Sequence, residues 1–426
     1  MDGLDFAYVA LVSVAGGLAR ALRRGLPAGW RLRLEATAPD AIAPGWVWLH
    51  AVSVGELILA EGILRWLRDQ GCRVHVTTGT VAGHELLQKR LAGWDQGSGR
   101  VSGGAFPLDD PAGLRSFLAA KPGLFVVLET ELWPNLLREL ACAGVPAAVV
   151  NGRLTDRTLR KRGLARRLLA RAASRLSLVA ARDAGSLEAF RALGAPRVVL
   201  GGNLKADLPA PQPLHPGWDA LRQAWAAHPV VVAGNTVDGE EALVLEAWAR
   251  ARAEFPEVRL ILAPRQPRRF QAVASDFARR GLAFRRASEP WRSEPSDWAA
   301  TDVLLLDTLG ELPAAYREGT VALVGGGWTW HGGHNPLESA RWGMPTLLGP
   351  GYSNFEDLVL PLKDAGLVSI AASDVLGDRI LHVMRQVASG QVGLRPDGSP
   401  AALPPELSGA LARSCNELKP WLSSFR

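Results

Sequence analysis

Short β-branched apolar runs recur along the chain. Each closes in small or polar residues and is followed by a stretch with helical periodicity. In the first half they read VWLHAVSVGE (Val47–Glu56), VHVTTGT, GLFVVLETE (to Glu131), AAVVNGR (to Arg153), LSLVAARD and VVLGGNLK (to Lys205). A Pro-rich stretch, Leu208–Gly217, interrupts the pattern. It restarts with VVVAGNT, RLILAPRQ, DVLLLDTLGE, VALVGGG, PTLLGP and LVSIAA. Near-continuous apolar strands alternating with helices predict parallel sheets covered on both faces. The fold class expected is therefore α/β, with two Rossmann-like, doubly wound domains on either side of the Pro-rich linker. The boundaries expected are an apolar membrane-associating segment at 1–30, a first domain at 31–207, a linker at 208–217 and a second domain at 218–426. The last helix is left open to crossing back to the first domain.

Ligands of such sheets bind beyond the carboxyl ends of the strands. Those ends carry Glu56, Glu129, Glu131, Arg153 and Lys205 in the first half, and Pro264, Arg265, Gly310 and Glu311 in the second. If the halves face each other, these residues line one cleft. The densest motif is Gly325–Glu338, GGGWTWHGGHNPLE, directly after the apolar run Val321–Val324. It predicts a strand, a glycine-rich loop and a helix start, with Asn335 as cap and Pro336 in the first turn. Such a loop lets backbone approach a ligand, and the helix start favours an anion. Asn335 and Glu338 are placed to read a nucleotide. The alternative is a glycine turn with an ordinary cap.

Glu56 opens a helix after Ser53-Val54-Gly55. The helix dipole is expected to lower its pKa, leaving an anion that can serve as general base for a sugar hydroxyl. The alternative is that it only caps the helix. In Glu129-Thr130-Glu131 one carboxylate is expected to cap the helix that Pro134 begins, and the other to face the cleft. Lys205 can neutralise charge on a phosphate or carboxylate, or can be a surface lysine paired with Asp207. Arg265 suits a phosphate, and the turn Leu309-Gly310-Glu311 suits a base edge. His331 and His334 lack a third ligand at supporting spacing, so no metal site is expected.

Composition narrows the partners. The 426-residue chain is 48% hydrophobic, enough for two cores. Its three cysteines, Cys72, Cys142 and Cys415, are far apart, which argues against a disulfide framework or a structural zinc and favours a reducing compartment. The formal net charge is +6. No zinc finger or aromatic-basic RNA motif appears, so a phosphorylated substrate or an anionic membrane fits better than nucleic acid. Phe6–Ala19 is apolar and is followed by Arg20, Arg23, Arg24, Arg31 and Arg33. It is shorter than the roughly 20 residues a spanning helix needs. Asp2 and Asp5 stand where a signal peptide carries bases. An interfacial anchor is expected, and trimming residues 1–24 is expected to release it. The alternative is a cover helix of the first domain. Arg153–Arg175 holds nine Lys or Arg against Asp156, which suits a solvated face or a phosphorylated, membrane-resident acceptor.

Taken together, LHAVSVGE, VTTGT with Gly83, FPLDDP, ETELWPN, NGRLT, GNLKAD, Gly239-Glu240-Glu241, LAPR, DTLGEL, GGHNPLE and GP with Asn354-Phe355 resemble bacterial 3-deoxy-D-manno-octulosonic acid (Kdo) transferases of lipopolysaccharide synthesis. They run in that family's order from about residue 47 to 367. The resemblance implies a GT-B fold and inverting, metal-independent transfer of Kdo from CMP-Kdo to a lipid A precursor, without a cofactor. It implies an enzyme at the cytoplasmic face of the bacterial inner membrane. By motif, Glu56 would accept the proton of the lipid hydroxyl, and Glu129 and Lys205 would stabilise the transition state. CMP would be held by Pro264-Arg265, Leu309-Gly310-Glu311 and Asn335-Pro336-Leu337-Glu338. The chain departs from the family pattern at Val237 and Gln266, where histidines are usual, and in GGGWTWH, where a serine and a shorter aliphatic pattern are usual. The alternatives are another GT-B nucleotide-sugar transferase or epimerase, or a non-catalytic lipid- or nucleotide-binding relative.

Overall fold

Two seven-stranded, all-parallel sheets organise the chain in the computed structural model. The structure describes residues 3–36, 38, 45–154, 158, 162–209, 217–289, 298–391 and 401–422. Residues 210–216 of the Pro-rich linker lie outside these, as do Arg157, Arg160 and Lys161 of the basic run. Two compact units emerge: Met1–Leu208 with Ser408–Arg426, and Pro209–Leu407. The chain's last helix, Ala410–Leu422, thus belongs to the first unit.

In the first unit the strands are β1 (Val47–His50), β2 (Val74–Thr78), β3 (Val101–Ala105), β4 (Leu124–Leu128), β5 (Ala147–Gly152), β6 (Leu178–Ala181) and β7 (Val198–Leu200). They lie in the order β3-β2-β1-β4-β5-β6-β7. Alternate residues face opposite ways, which is why the runs read as continuously apolar. Val47, Leu49, Val126 and Leu128 enter one core, and Trp46, Trp48, Phe125 and Val127 enter the other. Ala410, Leu418 and Leu422 of the last helix pack into the first of these cores. Asp207 accepts from the backbone N–H groups of Gly409 (2.8 Å) and Leu411 (2.6 Å), at the start of that helix.

Six helices of this unit frame the site: α1 (Gly3–Ala21), α2 (Ala28–Leu34), α3 (Val54–Asp69), α4 (Val81–Asp95), α5 (Pro111–Ala119) and α6 (Pro134–Cys142). By length and composition α1 could cross a membrane. Its polar residues are nevertheless tied to the unit. Asp5 pairs with Arg175 and, at 3.7 Å, with Arg171. The Tyr8 hydroxyl donates to Asp109 at 3.0 Å, and Arg20 forks onto Asp110 at 2.6 and 2.9 Å. Gly16 lies so close to the Asp110 carboxylate that a Cβ would collide with it. The opposite side carries Phe6, Leu11, Val14 and Leu18, exposed by 62%, 67%, 73% and 59%.

The second unit contains β8 (Val230–Thr236), β9 (Arg259–Pro264), β10 (Phe284–Arg286), β11 (Val303–Leu305), β12 (Val321–Val324), β13 (Thr346–Leu348) and β14 (Val368–Ile370). Their order is β10-β11-β9-β8-β12-β13-β14. In both sheets the first strand lies inside, and the chain builds outward on one side before returning to the other. The switch points fall between β1 and β4 and between β8 and β12, where α/β sheets place their ligands.

Candidate active site in two Rossmann-like units

At the first switch point His50 of β1 lies level with Val127 of β4. The loops that follow therefore emerge side by side, and they carry Glu56 and Glu129. Ser53 caps α3 by accepting from the Glu56 backbone N–H, while the Glu56 carboxylate reaches back to the Val52 N–H at 2.8 Å and the Ser53 hydroxyl at 3.2 Å. This is close to a capping box. Such donors, like the helix dipole, lower a carboxylate's pKa. Burial outweighs them here, and the neighbouring Glu129 and Glu131 add repulsion, so Glu56 is pushed up to about 7. The expected lowering is thus reversed.

Glu129 sits in left-handed backbone, φ 59°, an uncommon conformation for a glutamate. Three bonds hold it. Its N–H donates to Val150 O (3.1 Å), Arg153 N–H donates to its carbonyl (3.4 Å), and the Thr130 hydroxyl donates to Arg153 O. Neither Glu129 nor Glu131 caps α6, as had been expected of one of them. That helix begins at Pro134, and its first N–H groups, on Asn135 and Leu136, donate to Asp109 at 3.1 and 2.7 Å. Asp109 belongs to the FPLDDP motif and also receives Tyr8 of α1. Burial pushes Asp109 up to about 6 against these donors. It therefore joins α1 to the start of α6, the helix that follows the loop of acids, a role that its spacing from either segment in sequence could not reveal.

Arg33 of α2 covers the same loop. It donates to Phe106 O and Pro107 O (3.3 and 2.9 Å), and its guanidinium lies 4.7 Å from the Trp133 ring centroid. Its charge opposes the upward shift that burial imposes on Glu131. His50 is fully buried, stacks on Phe106 at 3.8 Å and is pushed down to about 3 by burial, so it is a neutral part of the core. Lys205 lies in the 3₁₀ turn Leu204–Asp207. Asn151, also left-handed at φ 57°, accepts the Leu204 N–H at 3.0 Å, which joins the β5 loop to the residue before Lys205.

In the second unit Gly234 of β8 lies level with Ala263 of β9 and Val324 of β12. The three loops that follow form a groove of about 910 Å³. Val237, Asp238, Arg265, Gln266, Arg268, Thr329, Trp330 and His334 are among its walls. The glycines of this loop are required by its own packing. A Cβ at Gly325 would come within 2.6 Å of Asn235 O, one at Gly326 within 2.6 Å of His334, and one at Gly333 within 2.9 Å of Tyr352. The glycines let the loop fold onto the protein itself. Its keystone is the fully buried Glu240, which accepts from Val237 (3.1 Å), Gly326 (2.7 Å) and Trp328 (2.9 Å) N–H groups. Glu241 accepts from Thr236 (3.1 Å) and Arg269 (2.7 Å). The Gly-Glu-Glu motif marked these residues in sequence without revealing that Glu240 holds the loop and Glu241 the end of β8 and Arg269.

Of the nucleotide contacts expected, Arg265 lines this groove and fixes its own backbone by donating to Thr236 O at 2.9 Å. Pro264 ends β9 directly beneath it. His334 is pushed down to about 4, chiefly by burial and further by the Arg265 charge. The expected helix after Asn335 is only four residues, Leu337–Ala340, so it offers little dipole. Pro336 precedes it rather than lying in its first turn, while the Asn335 side chain accepts the Leu337 N–H at 3.2 Å. Glu338 lies close enough to raise the pKa of the buried Tyr316. Tyr316 and Leu312, which follows Leu309-Gly310-Glu311, both crowd Gly234. The three expected motifs thus meet around the end of β8. Gly310 has φ 89°, and Leu309 is exposed. Among the described residues no group of three His, Cys, Asp or Glu is arranged to hold a metal.

The family model for 3-deoxy-D-manno-octulosonic-acid transferases (kdotransferases) matches residues 28–208. A transferase of that name from Haemophilus influenzae is 32% identical over 387 residues, 89% of this chain and 88% of the relative. One from Bordetella pertussis is 33% identical over 399 residues, 92% and 90% of the two chains. The chain belongs to the 3-deoxy-D-manno-octulosonic acid transferase family. It is a glycosyltransferase, as the order of its motifs implied. Among solved structures, a UDP-GlcNAc 2-epimerase from Neisseria meningitidis bound to UDP-GlcNAc has a TM-score of 0.56 at 14% identity, over 88% of this chain and 99% of its own. That likeness concerns the fold, which is the GT-B class of paired Rossmann-like domains. In this Kdo transferase, Glu56, Glu129, Glu131 and Lys205 belong to the first unit, and the groove with Arg265 to the second.

Proposed function

We propose that this Kdo transferase moves Kdo from CMP-Kdo to a lipid A precursor at the cytoplasmic face of the inner membrane, with inversion and without a metal. The lipid hydroxyl attacks the anomeric carbon from the face opposite CMP. A carbon–oxygen bond forms, the phosphate oxygen leaves with its electron pair, and the hydroxyl proton passes to Glu56. The observation that carries this reading is the half-buried Glu56 carboxylate, pushed up to about 7 beside two further acids. A base of that pKa is matched to cytoplasmic pH. Glu129 favours positive charge growing on the sugar, and Lys205 counters charge on the departing phosphate. Arg265 takes the phosphate of CMP. Pro264, the turn Leu309-Gly310-Glu311 and Asn335-Pro336-Leu337-Glu338 complete the nucleotide's surroundings. No nucleic acid partner is involved.

The outward apolar side of α1 supports the membrane assignment. An amphipathic helix of a soluble protein turns its apolar side inward, whereas α1 spends its polar residues on the protein. Exposed Leu22 and Trp30 and the neighbouring Arg23, Arg24 and Arg31 extend this surface with groups suited to anionic headgroups.

Two measurements examine the chemistry. Since the base must be ionised, kcat/KM for transfer should fall tenfold per pH unit below about 7 and level off above it. A profile flat down to the ordinary glutamate range near 4.3 would remove Glu56 from the role. Transfer should also persist in excess chelator, and the product's anomeric configuration by NMR should be opposite to the donor's. Loss of activity restored by a divalent cation, or a retained configuration, would contradict the proposal.

A further inference from the structure

Val237, Gln266 and Trp330, positions where the resemblance to the family's motifs breaks, line one groove. The two tryptophans of the departing loop have different fates. Trp328 is absorbed by the fold: its indole N–H donates to Ala371 O at 2.9 Å, and its ring packs against the second unit's core. Trp330 is 48% exposed and forms part of the groove wall. Its ring lies over Gly332, where a Cβ would come within 2.5 Å of the indole, and 5.8 Å from the His334 ring. The loop beneath is held by Glu240 and by Gly351 N–H donating to Gly327 O at 3.0 Å. The indole is therefore a wall on a rigid support.

The arginines of the groove also divide. Arg269 is spent on Glu241 and Asp238. Arg268 gives only its Nε, to Gln266 at 2.7 Å, which leaves the two terminal amino groups of its fork without a hydrogen bond among the described residues. A glutamine here orients that guanidinium. A protonated histidine in its place would repel it.

We propose that this groove is the sugar-acid pocket of the donor site, with Trp330 as the wall for the sugar's ring face and Arg268 as the cation for its carboxylate. The inference rests on the reading that the donor is CMP-Kdo and deepens it. Kdo has both features the groove is built for: a carboxylate that an arginine fork accepts, and a ring with apolar C–H edges that an indole face can cover. The nucleotide falls to the motifs around the end of β8. Arg265, which lines the groove beside His334, stands between the two for the phosphate.

The test uses the full chain, varying CMP-Kdo at saturating acceptor, with CMP as product inhibitor. Trp330→Ala should raise KM for CMP-Kdo about 5- to 10-fold. Arg268→Gln should raise it about 10- to 100-fold. In both, the inhibition constant of CMP should stay within about twofold of wild type, which also shows that the fold survives. Equal weakening of CMP and CMP-Kdo would put these side chains on the nucleotide and overturn the assignment. An unchanged KM in both variants would overturn it as well. A wild-type protein that transfers nothing from CMP-Kdo, yet still binds CMP, would instead defeat the reading on which the pocket rests, and the pocket with it.

Discussion

Glu56→Gln should lower transfer to lipid acceptor by about 10²–10⁴-fold, the usual loss for a general base, while CMP binds as before. Glutamine keeps the size of the side chain and can still meet the Ser53 hydroxyl, so α3 should begin where it does now. It cannot take a proton. The loss follows from the first unit alone, where burial and two neighbouring acids hold the Glu56 carboxylate ready to accept one. Turnover measured under saturating donor, with CMP affinity by calorimetry, separates chemistry from binding. Near-normal turnover would reduce Glu56 to a helix cap.

Replacing Leu11, Val14 and Leu18 of α1 together by glutamine should weaken partition onto anionic vesicles by at least about 100-fold. A fully buried leucine contributes ~1.5–3 kcal/mol, and an interfacial helix buries its apolar side in part. All three are exposed, so the fold should not change. Transfer to a detergent-solubilised acceptor should therefore survive, while transfer to acceptor in a bilayer falls. Trimming residues 1–24, which the sequence suggested as the test, is the poorer experiment. It would strip Tyr8 from Asp109 and Arg20 from Asp110, leaving two buried carboxylates without those partners. Vesicle co-sedimentation of the triple variant equal to wild type would identify α1 as a cover helix only.

The apolar runs made twelve of the fourteen strands among the described residues legible, and the family order of motifs carried the activity. The two strands missed, β3 and β10, are the edge strands on the same side of each sheet. An edge strand has one strand neighbour, and neither has the β-branched run that marked the others: β3 is VSGGA and β10 is FRR. Individual site residues were harder. Glu56 was found by its place after β1, but its pKa was expected on the wrong side of normal, because local sequence shows a helix cap and not burial or the acids of another loop. The glycines of Gly325–Gly333 were visible, but their partners Glu240, Gly351 and Tyr352 are remote in sequence. Asp109 was seen only as part of a motif. Its link between Tyr8 and α6 needs the fold that brings residues 8, 109 and 135 together.

The carboxylate after β1 is proposed to serve a transfer of Kdo onto lipid. Its most direct test is incubation of the full chain with CMP-Kdo and a lipid A precursor, followed by mass spectrometry of the lipid. The lipid should gain the mass of one or more Kdo residues, with an equal amount of CMP released, and Glu56→Gln should form that lipid about 10²–10⁴-fold more slowly. Donor left intact, or CMP released while the lipid's mass stays unchanged, would contradict it.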